Sequence, residues 1–353
     1  MMIADMHCDT LSFLETGQCD KQALNGERGA LPGDTLRKNS GQLDLERMKQ
    51  SNYLLQNFAL FVDMGKCSDP WKKALSLEKR FQDEMAQNAD MISCVYSYRD
   101  IENAMKEHRM CAMLTAEEGG ICAGKTERLH ELYCMGVRMM TLTWNYPNEL
   151  GEPAYYEDNA DEISNVYGQE ATQEKTFCTK YESNLSAGNG LTQTGIYFVE
   201  EMERLGIIPD VSHLSDAGIK DVLHVSKKPI VASHSNARNI CDQPRNLPDE
   251  LIRAIADQGG CIGLNYYTQF LGGETKKEIA EKLVAHAKHL MNIGGLGVLG
   301  LGSDFDGMRQ NPLLKGAESM GILWDILHDA GFTEDQLDRI FYKNVLRLYR
   351  DCL

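Results

Sequence analysis

The chain has 353 residues, of which 42% are hydrophobic, and this is enough to bury a large core. The formal net charge of −16 argues against binding to nucleic acid or to an anionic membrane surface. No stretch of the sequence approaches the roughly 18 consecutive apolar residues of a membrane-spanning helix. The composition therefore favours a large globular protein with no nucleic-acid or membrane partner.

In chain order, apolar runs of strand length alternate with helical patterns. The apolar runs are 2–8, 54–62, 110–114, 137–143, 207–211, 229–233, 261–265 and 298–302. The helical patterns are 43–50, 70–87, 126–134, 192–205, 216–225, 248–258, 275–291, 320–330 and 333–349. Such alternation predicts either a closed parallel barrel or a long doubly wound sheet. Polar residues cluster after the carboxyl ends of several runs, which favours an α/β fold of the (β/α)8 TIM-barrel type.

Two polar segments interrupt the alternation, 16–42 after the first run and 151–190 after the fourth. Loops of this length in a compact domain are usually functional or carry small structures of their own. On a barrel both would lie over the active-site face, although loose decoration or an oligomer contact would also explain them. We expect one catalytic barrel domain, 1–353, with two long loops.

Candidate metal ligands follow five of the apolar runs. His7-Cys8-Asp9 spans the end of the first run, and alternation along a strand directs His7 and Asp9 to one locus. The others are Glu118 after the third run, His213 and His234 after the fifth and sixth, and Asp304 after the eighth. Each alone is more often structural, but imidazole and carboxylate both suit zinc. One zinc needs three or four protein ligands, so six such groups predict two ions that share a bridging carboxylate.

This arrangement predicts a hydrolase. Two divalent ions would generate hydroxide at neutral pH and polarise a substrate carbonyl. Asp304 would accept a proton and pass it to the leaving amine. Of the neighbouring acids Glu117 and Glu118, we take Glu118 as the ligand and Glu117 as a bystander.

The sequence that carries these residues resembles the membrane (renal-type) dipeptidase family, which comprises zinc peptidases with an amidohydrolase-like barrel. The resemblance runs nearly end to end. The matching segments are His7-Cys8-Asp9-Thr10, Gly41-Gln42-Leu43-Asp44-Leu45, Glu118-Gly119-Gly120, Met139-Met140-Thr141-Leu142-Thr143, Asp210-Val211-Ser212-His213, Ser233-His234-Ser235, Arg245-Asn246-Leu247-Pro248-Asp249 and Gly302-Ser303-Asp304-Phe305-Asp306-Gly307.

The resemblance implies a role for each residue. His7 and Asp9 would hold one zinc, His213 and His234 would hold the second, and Glu118 would bridge them. Arg245 would grip the C-terminal carboxylate of a dipeptide, often one with a D-residue on that side. Asp304 would lie near the substrate amine, as proton shuttle or as anchor. The resemblance also implies a homodimer.

One position departs from the family pattern. Where better-known members carry a histidine near the substrate carbonyl, this chain has Trp144, followed by Asn145. Indole offers one N–H donor and does not titrate. Either Trp144 or Asn145 would support the developing oxyanion, or the pocket is reshaped and the substrate differs.

The sequence therefore predicts a zinc-dependent dipeptidase. A related hydrolase of N-acyl amino acids or lactams is the first alternative, and an inactive metal-bound barrel used for binding is the second. Two Zn²⁺ ions are the expected cofactors, with manganese or cobalt able to occupy the same ligands. Neither a secretion signal nor a lipid-anchor signal is recognisable, so we expect a cytoplasmic location.

Overall fold

A closed ring of parallel strands forms the centre of the molecule. The structure, a computed structural model, describes residues 1–16, 30–154 and 190–353. Within these ranges there are nine strands: β1 Ile3–Asp5, β2 Tyr53–Phe61, β3 Ile92–Cys94, β4 Met110–Glu117, β5 Val137–Thr141, β6 Ile208–Asp210, β7 Val231–Ala232, β8 Cys261–Leu264 and β9 Leu299–Leu301.

Strand pairing closes the ring. β1 lies between β2 and β9, β2 also pairs with β4, and the order then continues from β4 through β9. All pairings are parallel, with Phe61 opposite Glu117 and Asp5 opposite Leu301 at the carboxyl ends. The predicted (β/α)8 TIM barrel is confirmed. Among the described strands, β3 pairs only with β4, outside the ring, and it was not predicted because a strand of three partly buried residues leaves no recognisable sequence pattern.

Two layers of buried apolar side chains hold the barrel together. The smaller cluster takes residues from seven of the eight ring strands, among them Ala4, Leu55, Met113 and Cys261, and such residues meet only inside the ring. Tyr349 of the C-terminal helix packs into the same cluster and donates a hydrogen bond to Asn57 at 3.0 Å. The larger cluster lies between the outer faces of the strands and the helices.

Helices connect the strands on the outside. The described helices are Thr10–Thr16, Leu45–Gln50, Pro70–Gln87, Tyr98–Lys106, Thr126–Met135, Gln193–Leu205, Asp216–Val225, Asp249–Asp257, Thr268–Leu271, Lys276–Gly294, Met320–Asp329, Glu334–Asp338 and Asn344–Cys352. Every predicted helical pattern corresponds to one of them. The C-terminal pattern is interrupted by a π-helical segment, Arg339–Lys343, and the helices at 10–16, 98–106 and 268–271 were not predicted. None of the helices in the described ranges is long and apolar enough to cross a membrane.

The two long loops lie largely outside the described residues, which omit 17–29 and 155–189. The described ends of the second loop meet, because Gly151 and Leu191 form an antiparallel bridge and Pro153 bridges Leu214. The two described ends of this loop therefore lie side by side, next to the segment that follows β6. That the two loops cover the active-site face, and that 1–353 is a single domain, both stay predictions.

Candidate metal centre

Six acidic and histidine side chains converge at the carboxyl ends of the ring strands. His7 and Asp9 follow β1, Glu117 ends β4, His213 and His234 follow β6 and β7, and Asp304 follows β9. The structure places them in three overlapping groups whose ligand atoms lie within 4.8 Å of one another: His7, Asp9 and Glu117; Glu117, His213 and His234; His7, His234 and Asp304.

The first group surrounds the ring nitrogen of His7. The Nε2 atom of His7 lies 3.3 Å from Asp9 Oδ2 and 3.2 Å from Glu117 Oε2. All three side chains are at most 4% exposed. Gly307 passes close by, and a Cβ atom there would lie 2.0 Å from Asp9 Oδ2. Glycine at this position lets the backbone approach the carboxylate.

The second group faces the other oxygen of Glu117. Its Oε1 atom lies 3.1 Å from His213 Nε2 and 3.6 Å from His234 Nε2, and the two ring nitrogens are 3.0 Å apart. The two oxygens of one carboxylate are thus divided between two sets of ligands. This division is the arrangement expected of a bridging carboxylate.

The structure does not bring Glu118, the predicted bridging ligand, into this cluster. Its carboxylate accepts hydrogen bonds from the backbone N–H of Trp144 at 3.0 Å and of Gly120 at 2.6 Å, and from the side chain of Asn148. Glu117, dismissed as a bystander, takes the central place instead.

Side-chain alternation along β4 explains this difference. Cys111 and Met113 belong to the cluster inside the ring, whereas Ala112 and Leu114 belong to the outer cluster. Residues two apart share a face, so Glu117 lies on the inner face and Glu118 on the outer one. Counting from Cys111 would have found the ligand from the sequence, had the strand been extended to Glu117.

Burial and mutual charge set the protonation of the cluster. Burial raises the pKa of Glu117 to about 8, against the attraction of His7. Burial disfavours a charged His7 ring, yet Glu117 and Asp9 together raise the pKa of His7 well above its usual value. Burial, reinforced by Arg245 and His7, lowers the pKa of His213 and His234 well below the usual range. Those two rings stay neutral, the form that binds metal.

Asp304 lies at the edge of this cluster. Its Oδ1 atom is 3.9 Å from His7 Nε2, and its Oδ2 atom accepts a hydrogen bond from the side chain of Asn265 at 3.1 Å. Burial raises the pKa of Asp304 to about 6. A carboxyl group with this pKa can exchange a proton near neutral pH.

A pocket that opens to solvent lies over the cluster, and its empty space together with its open mouth is about 450 Å³. Its lining comprises Asp9, Phe61, Glu117, Trp144, His213, Tyr267, Phe270, Asp304, Gly307 and Met308. The aromatic members Phe61, Tyr267 and Phe270 were not predicted, although Phe61 ends β2 and the other two lie in the segment that follows β8. The cavity therefore has an acidic, metal-ligand floor and largely aromatic walls.

The three predicted substrate-binding residues are not equivalent. Trp144 lines the cavity, with its ring 4.9 Å from that of Phe61. Asn145 and Arg245 do not belong to the described lining. The Oδ1 atom of Asn145 lies 2.9 Å from His213 Nδ1, and Arg245 donates to the His234 carbonyl oxygen at 3.2 Å beneath the ring of Phe270.

Comparison with known proteins agrees with this architecture. A protein encoded in the pqqA 5′ region of Klebsiella pneumoniae is 31% identical and covers 76% of this chain and 91% of its own length. An uncharacterised dipeptidase of Schizosaccharomyces pombe is 26% identical over 99% of this chain and 80% of its own.

Solved structures share the fold. A Rhodobacter sphaeroides metallopeptidase, crystallised with a phosphinate mimic of the dipeptide L-Ala-D-Ala, superposes with a TM-score of 0.81 at 22% identity over 100% of this chain and 99% of its own. The probable dipeptidase PvdM of Pseudomonas aeruginosa gives 0.80 at 18% identity over 99% and 94%. The sequence model of the membrane dipeptidase family, peptidase family M19, matches residues 1–352, and the chain therefore belongs to that family.

Proposed function

We propose that this member of the dipeptidase family is a dinuclear zinc enzyme that hydrolyses small dipeptides. One observation carries the proposal: the two oxygens of Glu117 face two different sets of ligands, 3.2 Å from His7 on one side and 3.1 Å from His213 on the other. His7, Asp9 and Glu117 would hold one ion, and Glu117, His213 and His234 would hold the other.

The residues present fit two divalent cations. Within the described residues, the buried Oδ1 atom of Asp9 has no hydrogen-bond partner, although such an atom strongly favours a donor or a cation. Asp9, Glu117 and Asp304 also bring three carboxyl groups into one buried cluster, where anions are costly without cations. Neutral imidazole nitrogens and carboxylate oxygens are the donors that zinc takes.

The protein groups divide the catalytic work. When bound, two divalent ions supply Lewis acidity and an activated water at neutral pH. Asp304, at the cavity wall, accepts a proton from the nucleophile and returns it to the departing amine. Trp144 and Phe61 exclude bulk water from one wall, which strengthens the electrostatic interactions inside. Arg245 attracts the substrate carboxylate from behind Phe270.

The substrate is a small dipeptide. The pocket over the cluster opens to solvent, and the Rhodobacter sphaeroides relative was crystallised with a mimic of L-Ala-D-Ala. A D-residue at the C-terminal side is therefore part of the proposal. The homodimer and the cytoplasmic location stay predictions from the sequence.

Metal analysis coupled to a hydrolysis screen tests the proposal. We expect the parent protein to bind two equivalents of zinc per chain and to hydrolyse members of an L,L and L,D dipeptide panel. In Glu117→Gln we expect both the zinc binding and the hydrolysis to be lost. His328→Gln, a change at an exposed histidine, serves as the control and should alter neither. Hydrolysis of N-acyl amino acids or lactams without any dipeptide would assign the alternative amide hydrolase. Metal binding without turnover of any of these substrates would contradict enzymatic function.

A further inference from the structure

Asp210 is a buried carboxylate at the end of β6 and is not among the residues that line the pocket over the cluster. Its Oδ1 atom accepts hydrogen bonds from the backbone N–H of Ser212 at 3.0 Å and of Ser233 at 2.9 Å. Its Oδ2 atom accepts from the hydroxyl of Thr141 at 2.8 Å and from that of Ser233 at 2.5 Å. Four donors, one on β5 and the others just after β6 and β7, fix the orientation of this carboxylate.

The hydroxyl of Ser233 connects Asp210 to a predicted metal ligand. Its Oγ atom lies 2.7 Å from Nδ1 of His234 as well as 2.5 Å from Asp210 Oδ2. A serine hydroxyl has one proton, and an ionised carboxylate can only accept. The proton of Ser233 therefore goes to Asp210, and Nδ1 of His234 must donate to Ser233.

We propose that Asp210 is a positioning residue that acts through Ser233 to hold His234 in the tautomer protonated at Nδ1. This tautomer leaves the lone pair of Nε2 directed at Glu117 and His213, where the second metal site lies. The inference rests on the proposed metal centre, but the tautomer itself exists without metal. Ligand histidines commonly need such an outer partner to fix their ring orientation.

A second buried aspartate, Asp5, shows that a carboxylate can join two neighbouring strands without contacting a histidine ring through a serine. Asp5 accepts hydrogen bonds from the backbone N–H of His7 at 3.2 Å and of Ser303 at 3.0 Å, so it joins β1 to β9 much as Asp210 joins β6 to β7. In the described part of the chain, no serine hydroxyl connects the Asp5 carboxylate to an imidazole nitrogen. The hydroxyl of Ser303 instead donates to the carbonyl oxygen of His7. Joining neighbouring strands therefore does not require the relay that Asp210 adds.

The Asp210→Asn variant tests the proposal because the surrounding donors determine which way its side-chain amide points. The amide oxygen must stay where two backbone N–H groups donate, so the amide NH₂ faces Ser233 and donates to its hydroxyl. The Ser233 proton then turns to Nδ1 of His234, and the ring proton moves to Nε2. In metal-free protein, above the pH range in which histidine titrates, ¹⁵N-detected ring resonances of His234 should show Nδ1–H in the parent protein and Nε2–H in the variant.

Metal titration of the same proteins supplies the second readout. In Asp210→Asn we expect one of the two zinc equivalents to bind about 10–100-fold more weakly and the other to be unchanged. Thr141→Val is the matched control, because it removes another hydrogen bond to Asp210 Oδ2 without touching the relay. This control should keep both the tautomer and the affinity. Ser233→Ala provides a second route to the same loss of affinity if Asp210→Asn does not fold.

The possible failures are distinguishable. An unchanged tautomer in a folded Asp210→Asn variant, or equal losses of affinity in Asp210→Asn and Thr141→Val, would overturn the relay. Absence of zinc binding by the parent protein would overturn the proposed metal centre, whereas the tautomer comparison would still test the relay. Thermal unfolding of each metal-free variant separates loss of fold from loss of ring orientation.

Discussion

Glu117 and Glu118 are adjacent in the sequence but belong to different environments. Glu117 Oε1 lies 3.1 Å from His213 Nε2, whereas Glu118 Oε2 accepts a hydrogen bond from the backbone N–H of Trp144 at 3.0 Å. Glu118 has a φ of 101°, in the left-handed region, so the chain turns sharply at the end of β4. One glutamate faces the candidate metals, and the next ties β4 to the segment after β5.

Substitution of these two residues should therefore have different consequences. Glu117→Gln replaces a ligand oxygen by an amide nitrogen whose lone pair is delocalised and does not bind metal, so we expect zinc affinity to fall by more than the 10–100-fold typical of outer partners. Glu118→Gln keeps one accepting oxygen but turns an amide N–H towards a backbone N–H donor, which costs about 1–3 kcal/mol and should lower the free energy of unfolding of the metal-free protein. Metal titration and urea unfolding of both variants check this. Loss of zinc with unchanged metal-free stability in Glu118→Gln would restore the sequence-based assignment.

Asp304 should affect turnover more than metal content. In Asp304→Asn the side chain keeps its shape but cannot accept a proton, and general acid–base catalysis contributes about 10²–10⁴-fold. We expect kcat to fall by that factor while both zinc ions are retained. Asp306→Asn is the matched control: Asp306 accepts from Thr10 at 2.7 Å and from the backbone of Gln42, so its loss should mainly lower stability. Release of zinc from Asp304→Asn would show instead that Asp304 is a ligand.

Trp144 should control the fit of the substrate. Its ring packs 4.9 Å from Phe61 and 5.8 Å from Tyr146, and it forms one wall of the cavity. Trp144→Ala should lower kcat/KM for dipeptides by about tenfold or more, because apolar contact with the substrate is lost. Trp144→Phe retains an aromatic wall and should stay close to the parent enzyme, with zinc content unchanged in both. Equal kcat/KM values in the three proteins would exclude Trp144 from the substrate pocket.

The buried ring of His286 should make the free energy of unfolding depend on pH. The buried ring accepts a hydrogen bond from the backbone N–H of Ala237 at 3.1 Å and donates one to the Leu271 carbonyl at 3.1 Å. Burial lowers its pKa from 6.5 to about 4, so only the unfolded chain binds a proton between these values. Stability from this group is complete above pH 6.5 and is lost as the pH falls towards 4, by about 3 kcal/mol.

Urea unfolding at a series of pH values measures this effect. In His286→Gln the free energy of unfolding should depend less on pH across that window, although the variant is less stable at neutral pH because two buried hydrogen bonds are disturbed. His328→Gln, at an exposed histidine, should keep the pH dependence of the parent protein. An identical slope in His286→Gln and the parent would show that His286 is not responsible.

The fold was predictable where a helix or strand is long enough to show a regular hydrophobic period in the sequence. The helix Asp216–Val225 and the start of Pro70–Gln87 appear where periodicity and the first-turn proline placed them. The short elements were missed: β3 and the helix Thr268–Leu271 span too few residues to establish a period. The π-helical segment Arg339–Lys343 keeps an uninterrupted helical pattern in sequence, so only packing reveals it.

The candidate site was predictable to the strand but not always to the residue. The first, fifth, sixth and eighth runs, after which a His or Asp ligand was predicted, each supplied a member of the cluster, because carboxyl ends of parallel barrel strands meet at one face. The choice between Glu117 and Glu118 depended on where β4 ends, and strand boundaries are the least certain part of any sequence pattern. The position of Arg245 beneath Phe270 depends on a long-range contact that no local pattern encodes.

Four of the seven non-glycine residues with a left-handed backbone in the described ranges lie at this one face: Glu118, His213, Asp304 and Asp306. Each such conformation costs about 1 kcal/mol or more relative to the usual regions. Glycine at His213 or Asp304 would relieve the strain and remove a working side chain at the same time, whereas at Glu118 or Asp306 it would remove stabilising hydrogen bonds. Heat tolerance and catalytic competence are therefore in direct conflict at His213 and Asp304, and an engineered thermostable form of this enzyme must take its gains from elsewhere in the barrel.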